Sequence, residues 1–178
     1  MPPVSYGAQD HCLRRKSVNS KYRLSLMISS IVLILDQITK VLVEKTMTMY
    51  HTIEIIPNFV ALTYLRNTGA AFGFLAGEQS VYRIGFFLLV STIAVGCIFY
   101  LLKVARPEKK ILLVSLSLIL GGAVGNMVDR LRLGEVIDFI LLHYHELHWP
   151  AFNVADSAIT IGVALLIFQM IRQRSTEF

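Results

Sequence analysis

The sequence predicts an all-α membrane protein, four spanning helices with a small pair of strands outside them, and three observations predict it. Of its 178 residues 54% are apolar and 16% charged, with a mean hydropathy of +0.59. A soluble domain carries about 25% charged residues, so this chain has too few to face water on every side. Four apolar segments, roughly 24–43, 81–102, 111–128 and 152–171, each have the ~17–25 residues that cross ~30 Å of hydrocarbon. Their basic flanks alternate between rich and poor, as the flanks of successive spans do. Leu, Ile, Val and Phe are too frequent for disorder or a fibrous repeat, and the length suits one domain.

Residues 1–23 form a basic leader with Arg14, Arg15, Lys16, Lys21 and Arg23. It offers nothing to a core and is expected to be disordered or to lie on the membrane surface. The first span carries Asp36 and Lys40 and lacks a small-residue cleavage site after it, so it reads as a retained helix rather than a signal peptide. Loop 46–80 contains TIEII and FVALTYL, rich in β-branched and aromatic residues and separated by Pro57 and Asn58, which predicts a strand pair. The turn-like NTGAAFG follows. Loop 131–151, between the third and fourth spans, holds Asp138, three histidines and Trp149. The domain is read as 24–173, with 174–178 a short tail.

Counting Lys and Arg orients the chain. Five lie in the leader, four between the second and third spans (Lys103, Arg106, Lys109, Lys110), and two after the fourth (Arg172, Arg174). The opposite side has Lys45, Arg66, Arg130 and Arg132. Eleven against four places both termini in the cytoplasm and loops 46–80 and 131–151 outside. The net charge of +5 and pI of about 9.4 do not indicate a nucleic-acid partner, because the basic residues are spread between apolar runs rather than gathered with aromatics. Cys12 and Cys97 lie in different environments and are read as free thiols.

Ionisable groups within spanning helices are costly unless paired or hydrated, and mark candidate sites. Asp36 lies ~18 Å along the first helix from Leu24 at 1.5 Å per residue, in the outer half, with Lys40 one turn on. The third helix brings Asn126 and Asp129 to its outer end; the fourth begins with Asn153 and Asp156; Asp138 lies in the loop between. Asp36/Lys40 at i,i+4, and Asn126/Asp129 and Asn153/Asp156 at i,i+3, each share a helix face. Gly121 and Gly125 in GGAVG form a small-xxx-small pair that lets backbones approach. Asp36 with Lys40 reads as a structural ion pair, while Asp129 beside Arg130 suits an interfacial salt bridge as well as a functional acid. Asp138 and Asp156 have no cation at helical spacing, which favours a functional role. Residues alone leave Asp129, Asp138 and Asp156 as three candidates for two acidic roles.

His143, His145 and His148 with Glu146 invite a metal reading. HELH is one residue short of the H-E-x-x-H zinc pattern, whose histidines need i,i+4 spacing. The expectation is a solvated loop with Tyr144 and Trp149 as interfacial anchors, and no metal or other cofactor.

The stretches DQITK (Asp36 to Lys40), NTGAAF (Asn67 to Phe72), GGAVGNMVDR (Gly121 to Arg130), VIDF (Val136 to Phe139) and PAFNVADSAI (Pro150 to Ile159) together resemble bacterial lipoprotein signal peptidase, or signal peptidase II. The resemblance runs from Leu24 to Ile171, leaving the leader as an N-terminal extension. It implies a multi-pass protease of the bacterial inner membrane, an aspartic endopeptidase with its site near the outer face. Such an enzyme removes signal peptides from diacylglyceryl-modified prolipoproteins on the N-terminal side of the lipid-bearing Cys. By the resemblance Asp138 and Asp156 are the catalytic pair and Asp129 with Arg130 a support. Asn67, Gly69, Asn126, Arg130 and Asn153 would surround the substrate, with Asp36 and Lys40 as a buttress. It also implies a small external sheet and a short amphipathic external helix within 46–80; membrane lipid is the expected surround and a monomer the expected state, although the sequence itself does not give oligomeric state. Two rivals come from other classes. A proton- or ion-coupled transporter also uses membrane carboxylates, but the chain shows no internal repeat. A non-enzymatic assembly protein would tolerate loss of Asp138 and Asp156 at a cost in stability only.

Overall fold

The structure is a computed structural model that describes residues 6–69, 81–145 and 147–174. In chain order the elements are α1 (Tyr6–Thr46), β1 (Thr52–Ile56), β2 (Val60–Asn67), α2 (Val81–Val104), α3 (Lys110–Leu133), β3 (Val136–Tyr144), β4 (Leu147–His148) and α4 (Val154–Arg174). Four stretches, Ser20–Thr46, Val81–Val104, Lys110–Leu133 and Val154–Arg172, are long and apolar enough to cross a membrane. They coincide with the four predicted segments. Large side chains such as Leu26, Ile31, Ile38, Phe86, Ile93 and Phe168 stand exposed along them. Contiguous apolar surface of this kind suits hydrocarbon rather than water.

α3 is the central helix and packs on α1, α2 and α4. Against α2 it builds a core of Ile98, Leu102, Leu113, Leu116 and Leu120. Against α1 and α4 it relies on glycine. A Cβ on Gly121 would come within 2.8 Å of the Ser29 carbonyl oxygen, and one on Gly125 within 2.5 Å of Asp36 Oδ2, so the small-xxx-small pair faces α1. Gly122, between them, lies against the Ala155 carbonyl of α4. Without hydrophobic drive between helices in lipid, this close approach supplies the packing that holds them together.

The leader departs from expectation. α1 begins at Tyr6 and runs unbroken into the first span. Residues 8–23 contain neither Pro nor Gly to interrupt a helix. Lys21 is buried and donates to the carbonyls of Lys103 (2.8 Å) and Ala105 (2.9 Å), satisfying carbonyls that the end of α2 leaves open. The end of the leader is therefore part of the packed structure.

Outside the spans lies an antiparallel sheet of order β1-β2-β3-β4. β1 and β2 are the predicted pair. β3 comes from the stretch read as a loop, where VIDFILLHY is a nine-residue apolar run whose first four residues are all buried. Ile137 and Phe139 pack with Val43 and Tyr64 on one face. The period-2 alternation turns Val136, Asp138 and Leu142 to the other face, where a cavity opens. Two connections place this strand. Gly134 takes φ 75° and caps α3 through its N–H to the Arg130 carbonyl (3.0 Å), a left-handed turn that glycine makes without steric cost. β2 carries one extra residue between Leu62 and Leu65, opposite Ile140 and Asp138, a bulge beside the candidate site. Of the external region 46–80, in which an amphipathic helix is expected, the structure shows these two strands and their turns within 46–69; residues 70–80, with Ala70 to Phe72 of NTGAAF, lie outside the described residues.

Candidate active site

α4 begins with a reciprocal cap. Asn153 precedes the first helical residue, and its Oδ1 accepts from Asp156 N–H (2.9 Å), while Asp156 Oδ2 accepts from Asn153 N–H (3.3 Å). This is a capping box, with Asp at the third helical position. The i,i+3 spacing read as one helix face is in fact this cap, because Asn153 lies just outside the helix. It fixes the Asp156 carboxylate at the positive end of the α4 dipole.

Asn153 also reaches β3. Its Nδ2 donates to Asp138 Oδ1 (2.8 Å) and to the Ile137 carbonyl (3.2 Å). Asn67, from the end of β2, donates to Asp138 Oδ2 (3.0 Å), and Asn126 of α3 donates to Asp156 Oδ1 (2.8 Å). Each acid thus accepts two N–H groups, and among the described residues neither makes an ion pair. Asp138 is 3% exposed. Burial pushes its carboxyl up, as does the charge of Asp156, against the pull of the Asn67 and Asn153 hydrogen bonds and of Lys40; the result is about 7.

Beneath the two acids lies a fully buried charge cluster. Lys40 Nζ donates at 2.9 Å to each of Asp36 Oδ2, Asp129 Oδ2 and Asn126 Oδ1, which uses all three of its donors. The expected Asp36–Lys40 pair is therefore shared by Asp129. Of the two readings open for Asp129, a bridge to Arg130 is absent among the described contacts, because Asp129 faces the bundle interior and Lys40. Each supporting acid grips the backbone just before a candidate catalytic acid. Asp36 Oδ1 accepts from Ala155 N–H (2.9 Å), next to Asp156, and Asp129 Oδ2 accepts from Ile137 N–H (3.2 Å), next to Asp138. One ammonium thereby ties α1, α3, β3 and α4 into a single register.

Gln37 escaped the sequence reading. Its Nε2 reaches Asp129 Oδ1 (3.0 Å), the Gly125 carbonyl and Asp36 Oδ2 (both 3.2 Å). A polar amide inside a span was the available signal, masked by its position next to Asp36 rather than one turn away. Arg130 donates to the Gly69 carbonyl (3.2 Å) and stands over the Phe87 ring at 4.9 Å. With Asn67, Gly69, Asn126, Asp138 and Asp156 it lines a cavity of about 420 Å³, which extends past Trp149 and along α4 to Ile161. The histidines lie elsewhere. His143 Nε2 meets Glu54 Oε1 at 3.0 Å across the sheet, and its ring stacks on His148 at 5.6 Å.

Fold and site together define a multi-pass membrane protein with a polar, carboxylate-bearing cavity where its helices meet an external sheet. The family model described as signal peptidase (SPase) II matches residues 28–172. A lipoprotein signal peptidase of Geobacter metallireducens is 48% identical over 156 residues, covering 88% of this chain and 95% of that protein. One from Geobacter sulfurreducens is 52% identical over 141 residues, covering 79% and 87%. A solved bacterial membrane enzyme, determined by the in meso method at 2.3 Å, superposes with a TM-score of 0.78 at 36% identity, over 87% of this chain and 92% of that one. This chain belongs to the signal peptidase II family. It is a bacterial multi-pass membrane protein and a protease, and the coupled-transporter reading finds no support.

Proposed function

We propose that the chain is an aspartic lipoprotein signal peptidase that cleaves diacylglyceryl-modified prolipoproteins N-terminal to the lipid-bearing Cys, with Asp138 and Asp156 as its catalytic pair. The observation that carries this reading is the joining of the two acids through Asn153 on one cavity wall, with one carboxyl raised to about 7. Two adjacent carboxyls resist double ionisation, so one keeps a proton while the other acts as base. The base takes a proton from water as the water oxygen attacks the scissile carbonyl; the acid gives its proton to the carbonyl oxygen. The first then protonates the departing nitrogen as the C–N bond breaks, and the second recovers its proton from the hydroxyl. Asn67, Asn153 and Asn126 hold both acids in place, and Arg130 with Gly69 shapes the approach. The apolar wall from Trp149 to Ile161 suits the lipid-bearing side of a substrate, and no metal or organic cofactor is called for. The basic flanks support cytoplasmic termini with the site at the outer face, and one chain supplies every group named, so a monomer suffices.

The test is cleavage of a diacylglyceryl-modified precursor by the purified protein. Asp138→Asn and Asp156→Asn should each abolish turnover, with non-additive losses as for groups that act as one unit. Near-normal cleavage by either variant would sink the assignment. Activity should persist after thorough chelation and after His143, His145 and His148 are all changed to Gln; zinc-restorable loss would redirect the search to the histidines.

A further inference from the structure

We propose that Phe87 is a positioning residue: its ring face holds the Arg130 guanidinium on the Gly69 carbonyl and keeps it from closing onto the two acids. The inference rests on the aspartic reading above. It gives α2, which contributes no residue to the cavity wall among those described, a part in the reaction.

Three residues of α2 are buried, Phe87, Ile98 and Leu102. Ile98 and Leu102 belong to the apolar core shared with α3. Phe87 lies about three turns nearer the start of the helix, outside that core, and is only 7% exposed. Its charged neighbour there is the Arg130 guanidinium, 4.9 Å from the ring centroid. A ring face attracts a cation within ~6 Å, and more strongly where water is excluded. The Phe86 ring meets Phe87 edge-on at 5.3 Å and braces it from the side.

The guanidinium needs this hold because of what surrounds it. The carboxylates of Asp156, Asp138 and Asp129 all attract it, and the first two line the same cavity. Among the described residues it pairs with none of them; it donates to the carbonyls of Gly69 (3.2 Å) and Asn126 (3.4 Å). A neutral carbonyl is a weaker acceptor than a carboxylate, so two such bonds alone would not keep a guanidinium from adjacent acids. A salt bridge to either acid would favour its charged form and disturb the sharing of one proton that the reaction needs. The carbonyl that Arg130 keeps also matters. Gly69 N–H donates to Asn67 Oδ1 (2.9 Å), and Asn67 Nδ2 donates to Asp138 Oδ2 (3.0 Å), so the same turn that receives Arg130 supports Asp138.

The test changes the charge distribution of the ring at nearly constant shape. Fluorine draws electron density from the ring face, so phenylalanine bearing one, two and three fluorines at position 87 should lower kcat/KM stepwise for a diacylglyceryl-modified precursor in detergent. The whole series should span roughly two- to thirtyfold. The loss should fall on kcat rather than KM, because the acids are disturbed and the apolar wall is not. Phe87→Leu, which keeps apolar bulk without a ring face, should lose at least as much as the trifluorinated ring. The same fluorinated residues at Phe99, exposed on α2, should leave both parameters unchanged. A packing role alone predicts a flat series at Phe87 and a loss only in Phe87→Leu. A flat series, equal losses at Phe87 and Phe99, or a change confined to KM would each overturn the proposal, and the series decides the matter even where Phe87→Leu does not fold. Turnover retained by Asp138→Asn or Asp156→Asn would instead overturn the aspartic reading, so the two failures are distinguishable.

Discussion

At the scale of single residues, the energetics centre on Lys40. A fully buried ammonium between two carboxylates is weak evidence for net stability, yet removing one partner leaves charge without compensation, at a cost of about 3–5 kcal/mol. Lys40→Ala should therefore lower the thermal midpoint in detergent as well as activity, and melting equal to wild type would remove the buried-cluster argument. Changing Asp36 and Lys40 together to apolar residues should recover only part of the loss, because Asp129 stays behind with Gln37 and the Ile137 N–H as its partners. Asp138 makes a second prediction. Its carboxyl is raised in the folded state, so its contribution to stability is complete below the ordinary carboxylate range and is lost as pH rises through about 7. The thermal midpoint should fall between pH 5 and 8 more steeply in wild type than in Asp138→Asn; parallel curves would contradict the raised value.

At the scale of elements, glycine spacing on α3 and the cap of α4 determine whether the acids meet. Gly122→Ala places a methyl against the Ala155 carbonyl, where backbone rather than a flexible side chain must yield. The expected cost is about 1–3 kcal/mol, with loss of activity because Ala155 adjoins Asp156. Gly96→Ala on α2 is the control: nothing lies within 4 Å of its added Cβ, and helix propensity alone predicts a gain of up to about 1 kcal/mol. Equal thermal midpoints for the two variants would show that α3 and α4 are not in the close contact described. Asn153→Ala breaks the cap and one hydrogen bond to Asp138 together, so its loss of activity should far exceed the ~1 kcal/mol of a cap.

For the whole molecule, the sheet and the α2–α3 connection lie at opposite ends of the spans. On the proposed orientation, which the count of basic residues supports, the sheet is outside. A cysteine at Glu54, on the exposed edge strand β1, should react with a membrane-impermeant thiol reagent in intact cells, while one at Lys109 should react only after the cells are opened. The opposite labelling pattern would invert the topology and with it the side on which substrate is cut.

The sequence by itself determined the four spans, because hydrocarbon thickness sets a length that apolar runs either meet or miss. It also marked Asp36, Lys40, Asn126, Asp129, Asn153 and Asp156, since each polar group inside a span has a cost that needs an explanation. Asp138 was visible only as a carboxylate without a helical partner, and VIDFILLHY was read as a loop although its composition suits a buried strand. Local spacing could pair Asp36 with Lys40 but could not find Asp129 as the second partner, or show that Asn153 and Asp156 cap a helix rather than share its face. Those outcomes depend on contacts such as Lys40 with Asn126 and Ala155 with Asp36, between residues far apart in the chain. Only the tertiary structure decided them, because an ammonium or an amide takes whichever acceptor the packed backbones bring within 3 Å, and no local periodicity encodes that choice.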